Sequence, residues 1–448
     1  MKDHQPNMKR EACKPWSTAV QGEGPKVRGM ETGQWTQVSD WANRLCLALC
    51  LLTLPACAAD PLATAAPPAA VAAPTNSPSV FSPAKLAELD AAITRAINNG
   101  NTPGAVVWIE HAGQVYTRAY GRRAVQPEPE TMTTNTIFDV ASLTKVMATA
   151  PSIMLLLERG RLELDQPVAK YLPEFTGLGR EKITLRHLLT HYSGLPSGLT
   201  RRGGITNWST AIAQAVTEKP GAVGASFRYS DANFILLGEI VRRVSGRELP
   251  DFAREEFFVP LGMTETRYWP PAEWQPRIAP TERAGGRMLR GTVHDPTARL
   301  MGGAAGHAGL FSTVQDTARF CRMLLNGGEL DGKRVLKEET VKLMTSTQSP
   351  EGAGAKRGLG WDIDTPYSGP RGKVFPVGSY GHTGWTGTSI WIDPGSRTFV
   401  LLFANRNHPA GDGSVVKLRS EVATLAAESL LDVKWPAPPP ATNAPARP

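Results

Sequence analysis

The segment DVASLTKVMATA, residues 139–150, places Ser142 three positions before Lys145 at the head of an apolar, helix-like run. A serine hydroxyl is a weak nucleophile at neutral pH and needs a base. On a helix, positions i and i+3 share one face, so Lys145 can reach back to Ser142. The positive potential of a helix N-terminus favours an oxyanion and disfavours a protonated amine nearby. A lysine lowered in pKa in this way can take the serine proton. Alone, the pair is weak evidence, because a capping serine and a solvated lysine produce the same four residues often by chance.

Two further segments change its weight. SFRYSDANFILLGEIVRRVSG puts Tyr229 and Asp231 just before a helical run, and GSYGHTGWTGTSIWIDP puts His382, Thr383 and Gly384 at the edge of an apolar strand. Ser142-x-x-Lys145, Tyr229-Ser-Asp231 and His382-Thr-Gly384, in that order, resemble the three signature motifs of serine beta-lactamases and penicillin-binding proteins. The resemblance is to the branch holding class C beta-lactamases, D-alanyl-D-alanine carboxypeptidases and related esterases. It spans about residues 84 to 432 and includes the flanking segments ITLRHLLTHYSGLP and AGHAGLFST.

The resemblance implies roles. Ser142 attacks a carbonyl and forms an acyl-enzyme, Lys145 assists as base, and Tyr229 passes the proton to the leaving group. Asp231 stands where the family usually has Asn, next to the lysine. An ionised Asp231 would stabilise Lys145 as the ammonium and weaken it as a base, unless the acid turns away. His382 stands where many members have Lys. It would be cationic only near or below its normal pKa, so its grip on a carboxylate would fade as pH rises. The backbone N–H groups of Ser142 and Trp385 form the implied oxyanion hole, such donors being worth ~3 kcal/mol each. The implied activity is hydrolysis of an amide or ester, of D-alanyl peptidase or esterase type. The alternatives are a beta-lactamase and a non-catalytic cell-wall sensor. No cofactor and no metal are expected, and the implied partner is a small-molecule or peptide substrate.

The bulk properties agree. The chain has 448 residues and a net charge of +8, without a Lys/Arg stripe or an aromatic nucleic-acid motif, which argues against DNA or RNA binding. Residues 44–57, RLCLALCLLTLPAC, follow a positive residue with an apolar run too short to span a bilayer and then small residues, as a secretory signal does. Leu54-Pro-Ala-Cys57 resembles a bacterial lipobox, implying lipidation at Cys57, a membrane tether and a location in the periplasm at the outer membrane; simple cleavage near Ala59, giving a soluble periplasmic protein, is the alternative. Residues 1–57 are thus read as leader and signal, with translation expected to start at Met30 or later. Residues 58–81 are an Ala/Pro-rich linker, 82–435 the folded domain and 436–448 a Pro-rich tail. Cys321 is then the one interior thiol of the mature chain, which leaves no disulfide framework and no Cys-based zinc site.

Within the domain, SPAKLAELDAAITRAINNG predicts a helix with Ser82 as cap and Pro83 in the first turn. GAVVWIEH and QVYTRAYG predict two strands around His111-Ala-Gly113, and TSIWIDPGSRTFVLLFA two more around Asp393-Pro-Gly395. KLRSEVATLAAESLL predicts a final helix. ATAPSIMLLLERG reads as a helix in spite of Pro151, which would kink or break its interior. The expected class is α+β, with an antiparallel sheet built from the two ends of the chain, flanked by helices and joined to a mostly helical subdomain. His187 and His191 have zinc-compatible i, i+4 spacing, but Leu188 replaces the glutamate of H-E-x-x-H, so packing or hydrogen bonding is preferred. For His294, Asp295 and His307, structural loop chemistry is preferred over a place in the substrate cleft.

Overall fold

The computed structural model describes residues 80–435, apart from Arg201 and the side chain of Arg202. The leader, Cys57, nearly all of the Ala/Pro-rich linker and the tail lie outside the described residues. The strands Gly104–His111 and Gln114–Ala124 form the predicted hairpin. Ser389–Asp393 and Thr398–Ala404 form the second. The two join edge to edge, with Val107 paired to Leu402. They are the centre of an eight-stranded antiparallel sheet. Its order runs Lys356–Arg357, Asp362–Asp364, Tyr380–Thr383, Ser389–Asp393, Thr398–Ala404, Gly104–His111, Gln114–Ala124 and Glu130–Thr131.

Alternation along the central strands fills two layers. Ala105, Val107 and Ile109, with Val400, Leu402 and Ala404, face one layer. There the helices Pro83–Asn98 and Val416–Glu428 pack on each other and on the sheet. Val106, Phe399, Leu401 and Phe403 face the other layer, which holds the helix Val314–Leu325 and the mostly helical middle of the chain. Burial on both faces is why these strands read as nearly unbroken apolar runs. Cys321 is fully buried in that second layer, as a small apolar residue would be. Ser82 caps the first helix, accepting from the Lys85 N–H. The two ends of the described segment meet: Ser82 N donates to Ser429 O and Leu431 N to Val80 O. Among the described residues no helix is long and apolar enough to cross a membrane.

The serine-bearing segment is more broken than its periodicity suggests. Ala141–Leu143 is a 3-10 turn, Lys145–Thr149 a π-helical turn, and Ala150–Glu158 an α-helix. Pro151 therefore falls in the first turn of an α-helix, where a missing N–H costs little. The segment is anchored from behind by Phe138–Asp139, which pairs with Leu310–Ser312 in a separate three-stranded sheet.

Candidate active site

Ser142 stands on a turn that opens with Ala141 at a φ of 49°, a left-handed conformation that a non-glycine residue adopts only when its surroundings demand it. Asp139 makes the demand: its buried carboxylate accepts from the Ala141 N–H at 2.8 Å and from the His294 N–H at 2.7 Å. One turn on, the Lys145 Nζ lies 3.0 Å from Ser142 Oγ and 3.0 Å from the His307 carbonyl. Thr149, a further turn along, donates to the Gly306 carbonyl. The loop receiving both can approach because Gly306 has no side chain; a Cβ there would lie 2.0 Å from Phe234 O.

Tyr229 and Asp231 arrive at the start of the helix Asp231–Ser245. Ser230, between them, is its N-cap, accepting from the Asn233 N–H and donating to Pro196 O. His191 supports this entry: its buried Nδ1 accepts from the Ser230 N–H at 3.1 Å, and its ring lies 4.5 Å from that of Tyr229. His187 instead closes a capping box with Thr184. The two histidines thus hold different helix starts, as preferred from the sequence.

Asp231 does not turn away. Its Oδ1 lies 2.7 Å from Lys145 Nζ. Burial pushes the Lys145 ammonium toward losing its proton, but the Asp231 charge outweighs burial and raises the pKa. The resting lysine is therefore an ammonium that donates to Ser142. The Tyr229 ring centre lies 5.1 Å from Lys145 Nζ, and burial holds its phenol above its usual range, so it is neutral. Lys145 is completely buried, whereas the Asp231 side chain is 32% exposed. A proton leaving Lys145 for solvent has its exit at Asp231.

His382 lies on the strand Tyr380–Thr383, with Nδ1 2.9 Å from the Thr383 carbonyl. Burial, then the charges of Arg357 and Lys145, push its pKa well below the usual value. The sequence expectation of a normal pKa for His382 is corrected: its surroundings favour the neutral ring more than a free imidazole's would. Positive charge on this side of the cleft comes from Arg357, fully buried and 3.6 Å from Asp362. Beyond His382, Gly384 packs so closely that a Cβ would sit 2.1 Å from Thr388 Oγ1 and 2.5 Å from Val140 O. Trp385 stands at the rim, 65% exposed, with the Arg406 guanidinium 4.6 Å from its ring.

A cavity of about 840 Å³ collects these groups. Ser142, Tyr229, Asp231, His382, Thr383, Gly384 and Trp385 all line it, with Lys145 directly behind. His294, Asp295 and His307 line it too, which corrects the preference for a purely structural role. Asp295 still caps the short helix Pro296–Leu300 and accepts from His307 Nε2 at 2.9 Å. One ligand atom from each of Asp231, Asp295 and His307 falls within 4.8 Å of the others, a spacing that could hold a cation. The Lys145 ammonium already supplies positive charge there, acting on both carboxylates. Asp139 and Arg357 carried no signal in the sequence; an isolated Asp or Arg has no telling spacing.

The Beta-lactamase family model matches residues 89–423. A protein of Escherichia coli K12, provisionally named D-alanyl-D-alanine carboxypeptidase, is 29% identical over 375 residues, covering 74% of this chain and 85% of the relative. The N-acetylmuramyl-L-alanine amidase of Bacillus subtilis 168 is 32% identical over 370 residues, covering 73% and 82%. A penicillin-binding protein homologue from Caulobacter crescentus superposes with a TM-score of 0.62 at 23% identity, covering 78% and 99%, a likeness of fold. The motif geometry and the long family match agree: the chain belongs to the Beta-lactamase family of serine hydrolases.

Proposed function

We propose that this chain is a serine hydrolase working through an acyl-enzyme on D-alanyl peptides of cell-wall origin, with small esters as accessory substrates. The observation that carries the reading is the contact of Ser142, Lys145, Tyr229 and Asp231 at the floor of one cavity. Lys145 first loses its proton by way of Asp231. The free amine then takes the Ser142 proton as Oγ attacks the substrate carbonyl, and Tyr229 relays a proton to the leaving group. Water releases the acyl group by the same path in reverse. The names of the two curated relatives support a cell-wall substrate. Arg357, a buried cation beside the reacting centre, suits a substrate that carries a carboxylate.

The test is intact mass after mixing with a penicillin, with Ser142→Ala as control. A persistent adduct absent from the variant is expected. Rapid loss of the adduct with consumption of the drug would move the assignment to a beta-lactamase, and equal behaviour of the two proteins would defeat it. The same reading places the chain outside the cytoplasm, tethered through lipidated Cys57. Cys57→Ser should move it from the membrane to the soluble fraction, and an unchanged distribution would remove the tether.

A further inference from the structure

The loop after His382 carries one of the two implied oxyanion donors, and its peptide groups are unusually well held. Gly384 N donates to Thr388 O at 2.7 Å, closing the loop on itself. Thr386 Oγ1 donates to Asp139 O at 2.7 Å, and Thr388 Oγ1 to Val140 O at 3.0 Å. These two hydroxyls tie the loop to the backbone just ahead of Ser142. The N–H groups of Ser142 and Trp385 have no hydrogen bond among the described residues.

Arg419 completes the arrangement. It sits in the first turn of the helix Val416–Glu428 and is nearly enclosed. Its Nη2 donates to Gly384 O at 2.6 Å and to Thr388 O at 2.8 Å. Among the described residues it has no carboxylate partner; the charged neighbour it feels is Arg406, which itself donates to Trp385 O. A buried guanidinium with two carbonyls as its partners is costly unless those contacts matter. Gly384 C=O and Trp385 N–H belong to the same peptide group. A cation on the carbonyl oxygen withdraws electrons from the group and strengthens its N–H as a donor, as in any hydrogen-bonded chain.

We propose that Arg419 is a positioning residue that polarises the Gly384–Trp385 peptide, so that the Trp385 N–H stabilises the oxyanion better than an unassisted amide would. This rests on the acyl-enzyme reading above. Arg419 forms no bond to substrate in this role; it acts through the peptide, and its effect appears where negative charge develops on the substrate oxygen.

The experiment compares wild type, Arg419→Gln, Arg419→Met, Arg419→Lys and Ser142→Ala with an uncharged chromogenic ester and an anionic one. Infrared spectroscopy of the trapped acyl-enzyme reads the ester carbonyl stretch. The neutral variants should lose roughly tenfold or more in kcat, short of the 10²–10³ for removing a donor outright. KM should stay within about twofold, the signature of an interaction made in the transition state. The carbonyl stretch should rise, reporting a weaker hydrogen bond, and lysine should restore most of both. Unchanged kcat, or a kcat loss with an unchanged stretch, overturns the proposal. A loss confined to KM for anionic esters also overturns it and makes Arg419 a substrate anchor. If neither neutral variant folds, the lysine variant decides: a folded but fully inactive protein defeats the idea. Turnover surviving in Ser142→Ala would defeat the acyl-enzyme reading itself, whatever Arg419 does.

Discussion

Asp231 is the residue at which this site departs furthest from the motif it resembles. An amide would accept a hydrogen bond from Lys145 without adding charge. The carboxylate, 2.7 Å away, holds the lysine protonated and makes loss of that proton a condition for acylation. Activity should therefore rise with pH along a limb set by Lys145. In Asp231→Asn the charge that raises the lysine pKa is gone and burial pulls it down. The limb should move toward acid, as read from the pH dependence of kcat/KM; an unmoved limb would mean that Lys145 is not the titrating base. Ser142, Lys145, Tyr229, Asp231 and His382 were legible because their chemistry is written in short spacings. Arg357, Arg419 and Asp139 were not. KLRSEV reads as the solvated face of a helix, and only folding shows that its arginine ends beneath Gly384.

Elements carry the next level of information. The helix Val314–Leu325 lies against the sheet with Asp316 in its first turn, accepting from Glu265 N at 2.7 Å and Thr266 Oγ1 at 2.8 Å. Burial pushes the Asp316 carboxyl up to about 6, those hydrogen bonds opposing it. Its folded pKa exceeds its unfolded one, so its contribution to stability is complete below about pH 4. That contribution is lost as pH rises through about 6, because the folded chain must then ionise a buried acid. Asp316→Asn should be more stable than wild type at pH 8 by roughly 1–3 kcal/mol, with the gap closing at pH 4. Urea unfolding at the two pH values measures it, and an equal gap at both would refute it. The element types were readable in the sequence because caps and alternation are local. The break of the serine segment into 3-10, π and α turns was not. It is imposed from outside, by Asp139 on Ala141 and by the His307 and Gly306 carbonyls on Lys145 and Thr149.

For the whole molecule, the sequence disclosed two hairpins and the expectation that they share a sheet, while strand order and the cavity needed three dimensions. The motif residues come from three separate regions, and the cavity lies where the helical middle meets the sheet that both chain ends build. That shared sheet has a consequence during synthesis. Gly104–His111 has Gln114–Ala124 on one side at once, but its other side waits for Thr398–Ala404. At about 5–20 residues per second the open edge stands on the ribosome for roughly 15–60 s. An apolar strand with one edge unpaired invites pairing with other chains, so the hairpin is prone to aggregate until its last sheet partner emerges. A chain stopped after Arg397 makes the point: Ser142, Lys145, Tyr229, Asp231 and His382 are all present in it. It should nonetheless sediment with aggregates and take up no penicillin, and a soluble, acylated fragment would show that the closing strand is dispensable.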